Sequence, residues 1–138
     1  MNKRFERHNL IHGWEQSQLS AATAVIIGMG ALGNEVARIL AMSGIGTLLI
    51  CDPDIVAISN LSRCVLFRES DIGQFKVNAA AIALATLAPD TTIITRPQRL
   101  VHGVGLAELR DASIVLSCLD SRSARLQLAG RCSLVNAS

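Results

Sequence analysis

The sequence has 138 residues, half of them apolar, with 17% charged and a formal net charge of +2. That apolar content excludes a disordered chain, and the length allows one sizeable core and so one compact domain. Arginines are scattered, Lys3 and Lys76 are the lysines, and three Phe and one Trp with no Tyr make no base-stacking platform, so nucleic acid is a poor candidate partner.

In chain order, residues 1–20 are polar and mixed in sign, with helical character from Leu10 to Leu19 broken at Gly13, and predict a helical arm before the domain proper at 21–138. Ala24-Val25-Ile26-Ile27 is a continuous apolar run ending at Gly28, the pattern of a strand buried on both faces of a parallel sheet. Asn34 to Ser43 carries apolar residues at helical spacing and stops at Gly44 and Gly46. Leu48 to Cys51 predicts the second strand and ends at Asp52-Pro53-Asp54, which completes a βαβ unit. Lys76 to Leu87 predicts a helix closed by Pro89, Thr92 to Thr95 a strand, Gly105 to Asp111 a short helix and Ile114 to Leu119 another buried strand. Ser123 to Cys132 reads as helical, and Leu134-Val135 as the start of a last strand. The alternation predicts a doubly wound α/β fold: a Rossmann-like, mostly parallel sheet with helices on both faces.

The apolar stretches, such as Ala79 to Ala88, are too short to cross a bilayer, and no signal-peptide pattern opens the chain, so a cytoplasmic protein is expected. Cys51, Cys64, Cys118 and Cys132 form no C-x-x-C pair and predict reduced, mostly buried thiols. His8, His12 and His102 share no metal-ligand spacing.

Chemistry concentrates at strand ends. Gly28-Met29-Gly30-Ala31-Leu32-Gly33 follows a strand and opens a helix, where glycines permit a tight turn, close approach of a phosphate and close helix–strand packing. Backbone N–H groups at that helix start make an anion site. Asp52, at the carboxyl end of the second strand, is placed to accept ribose hydroxyls. These features suit a dehydrogenase as well as an ATP user.

The segment from Asp52 to Phe67 separates the two. Its Asp52, Asp54, Val56, Ser59-Asn60-Leu61 and Arg63 resemble the D-x-D-x-V-x-x-S-N-L-x-R-Q-x-L pattern of the ubiquitin-activating-like superfamily that includes MoeB, ThiF and HesA. Gly73-Gln74-Phe75-Lys76 resembles that family's G-x-x-K, Cys118-Leu119-Asp120 with Arg125 its C-x-D-N-x-x-x-R, and Arg4-Phe5-Glu6-Arg7-His8 its R-Y-x-R-Q start. The resemblance implies an adenylyltransferase, in which the carboxyl-terminal glycine of a small ubiquitin-like or sulfur-carrier protein attacks the α-phosphate of ATP. It implies Asp52 on the ribose, Asn60, Arg63 and Lys76 on the phosphates, and Asp120 on magnesium. It also implies a homodimer in which Arg7 of one copy reaches the γ-phosphate in the other.

The match departs from the family in places. Cys64 stands where Gln is usual, and Ser121 replaces the Asn after the magnesium aspartate. The family's second half, with its carrier-binding surface and its zinc and thioester cysteines, corresponds to nothing before Ser138. Two other readings stand beside the adenylyltransferase: an NAD-dependent oxidoreductase resting on the glycine loop and Asp52, and a truncated, non-catalytic nucleotide-binding or dimerisation module. Relatives acting on peptides or on transfer RNA share this half, so the acceptor is left open.

Overall fold

The computed structural model describes residues 2–138. Four parallel strands lie in the order β3-β2-β1-β4, formed by β1 (Thr23–Ile27), β2 (Thr47–Cys51), β3 (Thr92–Arg96) and β4 (Ile114–Ser117). In register, Val25 faces Leu49 of β2 on one side and Val115 of β4 on the other. Because β1 is central, its residues from Ala24 to Ile27 are all at most 1% exposed, which the unbroken apolar run anticipates.

Alternation along the strands sorts the core into two layers. Ala24, Ile26, Leu48 and Ile50 point to the face covered by α2 (Ala31–Ser43) and α3 (Lys76–Leu87), meeting Ala37, Ala41, Val77, Ala80 and Leu84. Val25, Ile27, Leu49 and Cys51 point to the opposite face, covered by α4 (Leu100–Gly103), α5 (Leu106–Asp111) and α6 (Arg122–Val135) through Leu100, Leu109 and Leu128. The sheet is therefore doubly wound, as the alternation of elements requires.

Several boundaries differ from expectation for local reasons. The first long helix begins at Ala31, not Asn34, because the glycine loop is already helical from there and Gly30 is its N-cap. Residues 100–103 form an unanticipated helical turn, and β4 ends at Ser117, two residues short of the predicted end; as an edge strand paired only with β1 it is also half-exposed rather than buried, with Ile114 41% exposed. The predicted strand at Leu134-Val135 does not form. Leu128, Cys132 and Val135 recur on one face of α6 and pack on the second core layer, so the helix runs on until Asn136 adopts a left-handed conformation at φ 52°. Beyond it the carbonyl of Ser138 accepts a hydrogen bond from Val115 N at 2.7 Å.

The first twenty residues contain only a short helix, α1 (Gln16–Ala21), preceded by 3-10 turns at Lys3–Phe5 and His8–Leu10, rather than a helix from Leu10; Met1 lies outside the described residues. This arm packs against the far ends of α2 and α3. Phe5 is buried, Arg4 donates to the carbonyl of Leu87, and Gln16 Nε2 donates to Ser43 O at 2.9 Å. Trp14 Nε1 and His8 Nδ1 both meet Gln16 Oε1, at 2.9 and 3.0 Å. Since that oxygen accepts, His8 must carry its proton on Nδ1. Gly44, at φ 92°, ends α2 where an added Cβ would lie 2.5 Å from both Phe5 Cζ and Gln16 Nε2. An L-residue pays roughly 1–2 kcal/mol in that backbone region even without the clash. Gly44→Ala is therefore expected to destabilise the protein by about 2 kcal/mol or more in urea unfolding, and an unchanged midpoint would mean that the arm does not depend on this seat.

Candidate functional site

The strand order reverses beside β1: β2 and β3 are added on one side, β4 on the other. The crevice outside the carboxyl ends of β1 and β4 is thus the topological switch point, where such sheets bind ligands. The three glycines of the loop leaving β1 take separate parts there. Gly28 has φ 98°, and a Cβ on it would stand 2.5 Å from the carbonyl oxygen of Cys118, just past β4. A Cβ on Gly33 would stand 2.0 Å from Gly28 O, which locks α2 close to the strand. Gly30 alone of the three faces open space, with nothing within 4 Å of an added Cβ, so a ligand can reach the backbone there.

Asp52 closes the loop from the β2 side. It is 7% exposed, and its two carboxylate oxygens accept from Met29 N at 2.7 Å and from Asp54 N at 2.8 Å. It is thus a buried carboxylate joined to the glycine loop, with lone pairs left over on each oxygen. Asp54 in turn reaches Lys76: its carbonyl accepts from Lys76 N at 2.9 Å, and its Oδ2 lies 3.7 Å from Lys76 Nζ. An isolated antiparallel bridge between Ile55 and Phe75 holds this approach. Lys76 is the first residue of α3, where the helix dipole disfavours a cation, and its side chain is only 12% exposed. The nearby carboxylate of Asp54, itself 67% exposed, is the group that offsets this placement.

Residues 58–67 form a compact loop between β2 and α3. Asn60 Oδ1 accepts from Ala57 N at 2.8 Å, so the end of that amide free for an anion is its NH2. Arg63 is exposed and spends Nη1 on Ser59 O at 3.0 Å, which leaves other guanidinium donors unspent. Asp120 is exposed beyond the end of β4, two residues after the Cys118 carbonyl that abuts Gly28. Arg125 Nε bonds Leu119 O at 2.7 Å, and Ser121 Oγ caps α6 by accepting from Ala124 N, so the Asp120 turn is pinned on both sides.

The structure therefore brings Gly28, Gly30, Gly33, Asp52, Asn60, Arg63, Lys76 and Asp120 to the carboxyl edge of the sheet and leaves Arg7 out. Arg7 precedes the turn at His8–Leu10, in the arm seated beside Gly44 at the opposite edge, one strand length away. It cannot serve the site of its own chain. One residue at the site escaped the sequence reading: Asn34, fully buried, bonds the carbonyls of Met29 and Gly30 and accepts from Leu66 N. Its signal was available, since Asn34, Ala37 and Ala41 share one helical face, which puts a polar side chain on the inward stripe.

Among the described residues no group of three or more His, Cys, Asp or Glu could hold a metal. A lone carboxylate such as Asp120 still suits magnesium, which is commonly held by one or two carboxylates with phosphate oxygens and water completing the octahedron. The four cysteines are free, and burial pushes every one of their thiols up. Cys51 goes furthest, to about 11 by burial with help from the charge of Asp52. At Cys64, Lys76 and Arg63 pull the other way without overcoming burial.

The sequence matches the ThiF family over residues 5–137. It is 35% identical to the molybdopterin-synthase adenylyltransferase of Salmonella typhimurium over 94% of this chain and 53% of that protein. It is likewise 35% identical to the sulfur carrier protein ThiS adenylyltransferase of Escherichia coli, over 88% of this chain and 48% of that one. The chain thus spans about half the length of these relatives. Among solved structures, Escherichia coli MccB with ATP superposes with a TM-score of 0.84 at 28% identity, over 99% of this chain and 44% of MccB.

The burial of Cys51 and Cys64 has a measurable consequence. At pH 8 these two thiols of the folded protein are expected to react slowly with Ellman's reagent, and all four thiols to react quickly in urea. The Cys51 proton is held more tightly in the folded than in the unfolded chain, where a thiol titrates near about 8.5. This contribution to stability is intact below that pH and is lost as pH rises toward 11. More than two fast-reacting thiols in the native protein at pH 8 would contradict the assignment.

Proposed function

The chain belongs to the ThiF family, and from that premise we propose that it is the nucleotide-binding half of an ATP-dependent adenylyltransferase acting on the carboxyl terminus of a small ubiquitin-like or sulfur-carrier protein. What supports the reading is the placement of an open glycine loop, the buried carboxylate of Asp52 and the Asn60, Arg63 and Lys76 side chains at one carboxyl edge of the sheet. An oxidoreductase using NAD would share the loop and Asp52 and would have no use for Asn60, Arg63 and Lys76 together.

In the proposed reaction a carboxylate oxygen of the carrier's terminal glycine attacks the α-phosphorus of ATP. The bond from that phosphorus to the oxygen bridging to the β-phosphate breaks, and pyrophosphate leaves with the electron pair. The nucleophile is already ionised at neutral pH, so no general base is needed and the protein's work is positioning and charge neutralisation. Asp52 accepts the ribose hydroxyls on the lone pairs that Met29 and Asp54 leave free. The amides around Gly30, at the start of α2, face the phosphates, with Gly28 and Gly33 fixing the loop's path. Asn60 donates through its NH2, Arg63 through its unspent guanidinium donors, and Lys76 by leaving Asp54 for the phosphate oxygens. Asp120 would hold magnesium, which when bound neutralises phosphate charge and orients the leaving group.

Arg7 belongs to this scheme only in trans, from a second copy, so the reading includes a homodimer. The carrier is the proposed protein partner, and no role for nucleic acid or membrane is part of the proposal. No helix among the described residues is long and apolar enough to cross a membrane, and the four free cysteines fit the reducing cytoplasm proposed as its location.

Calorimetric titration with ATP and magnesium is expected to show binding that NAD does not reproduce; preference for NAD would replace this reading with the oxidoreductase. Arg63→Ala is expected to weaken ATP binding by about 10- to 100-fold, since a charge-assisted contact is worth roughly 1.5–3 kcal/mol. Unchanged affinity would remove Arg63 from the site. Asp120→Asn is expected to abolish the magnesium dependence of ATP binding with the fold intact, as seen by circular dichroism; retained dependence would place the metal elsewhere.

A further inference from the structure

We propose that Asn34 is a positioning residue that aims the phosphate-facing amides of the glycine loop and sets the Arg63 loop against them, an inference that rests on the adenylyltransferase reading. Asn34 is 0% exposed, and burying a carboxamide is unfavourable unless its bonds are made. It makes three of them. Nδ2 donates to Met29 O at 3.0 Å and to Gly30 O at 2.9 Å, while Oδ1 accepts from Leu66 N at 3.0 Å. The amide's orientation is thereby fixed, because the flipped form would set an oxygen against two carbonyls and an NH2 against an N–H.

The consequence follows from the planar, trans peptide unit, in which C=O and N–H point in opposite directions. Drawing the Met29 and Gly30 carbonyls inward onto Asn34 turns the N–H groups of Gly30 and Ala31 away from the core, toward the side where Gly30 is open. The same side chain ties down the backbone of Leu66, three residues past Arg63, in a loop that also buries Cys64, Leu66 and Phe67 in the first core layer. One buried side chain therefore links the loop amides directly to the segment that carries the guanidinium, the two being proposed to share one triphosphate.

Asn34→Asp keeps the volume and the acceptor for Leu66 and replaces the donor to Met29 and Gly30 with an oxygen; Gly30 O keeps its bond from the Asn34 backbone N–H at 2.9 Å, so the change chiefly releases the Met29 carbonyl. Thr91→Val is the control, a buried polar group whose Oγ1 bonds Ile45 O at 2.9 Å at the opposite edge of the sheet. Well below the unfolding midpoints, Asn34→Asp is expected to bind ATP with magnesium at least tenfold more weakly, and Thr91→Val to bind as the unaltered protein does. Wild-type affinity in Asn34→Asp, or an equal loss in Thr91→Val, would overturn the proposal.

If Asn34→Asp does not fold, amide hydrogen exchange on the unaltered protein gives the same decision. The Leu66 amide faces Asn34 and cannot touch nucleotide, yet ATP is expected to slow its exchange along with that of the glycine loop. Protection of the loop alone would refute the link. If the unaltered protein binds no ATP, the adenylyltransferase reading falls separately. In that case Asn34→Ser should still speed exchange across residues 28–33 and 58–67 together in nucleotide-free protein, and acceleration of one segment alone would overturn the clamp.

Discussion

The constraint on which the rest depends is the absence of room where the chain leaves β1. Gly28 must turn at positive φ against the carbonyl of Cys118, and five residues later α2 must pass so close that Gly33 nearly touches Gly28 O. Any side chain at either position would push α2 off the sheet or part β1 from the end of β4. Because α2 is held so tightly, its first turn lies over the strand ends, and the loops after β2 and β4 are built around that turn.

Polar contacts then convert this packing into a site. Asp52 joins β2 to the glycine loop through Met29 N, Asn34 joins the loop to residues 58–67, and Asp54 joins the end of β2 to the start of α3. Each contact links segments distant in sequence and adjacent in space. The cations tolerate their setting for different reasons. Arg63 is solvated, whereas Lys76 is largely enclosed at the wrong end of a helix dipole, where the nearby carboxylate of Asp54 offsets the cost. The arm makes a comparable set of contacts at the other edge of the sheet, through Phe5, Gln16 and Gly44, and contributes nothing to the crevice of its own chain.

The strands and principal helices were legible because their patterns are local. A strand covered on both faces must be apolar throughout, as in 24–27 and 48–51, and the Ala-rich helix before Pro89 begins and ends where the sequence places it. At the end of α6 the strand-forming character of Val135 is overridden by the register of Leu128, Cys132 and Val135 on the second core layer. The arm departs from its local pattern for a related reason: Phe5 and Gln16 are seated against Gly44, a contact that no local pattern in residues 2–14 encodes.

At the site, the sequence by itself determined which chemical groups are present: the glycine loop after a strand, Asp52 at a strand end, and the spaced Asn60, Arg63, Lys76 and Asp120. These are properties of residue type and order, which one-dimensional spacing preserves. Only the tertiary structure decided which groups meet. It joined Asp52 to the loop, gave Lys76 its carboxylate, and recruited Asn34, because those contacts depend on how the sheet stacks its strand ends. It also separated Arg7 from the crevice by the length of a strand, since the order of residues along a chain carries no information about which edge of the sheet a terminal segment will seat against.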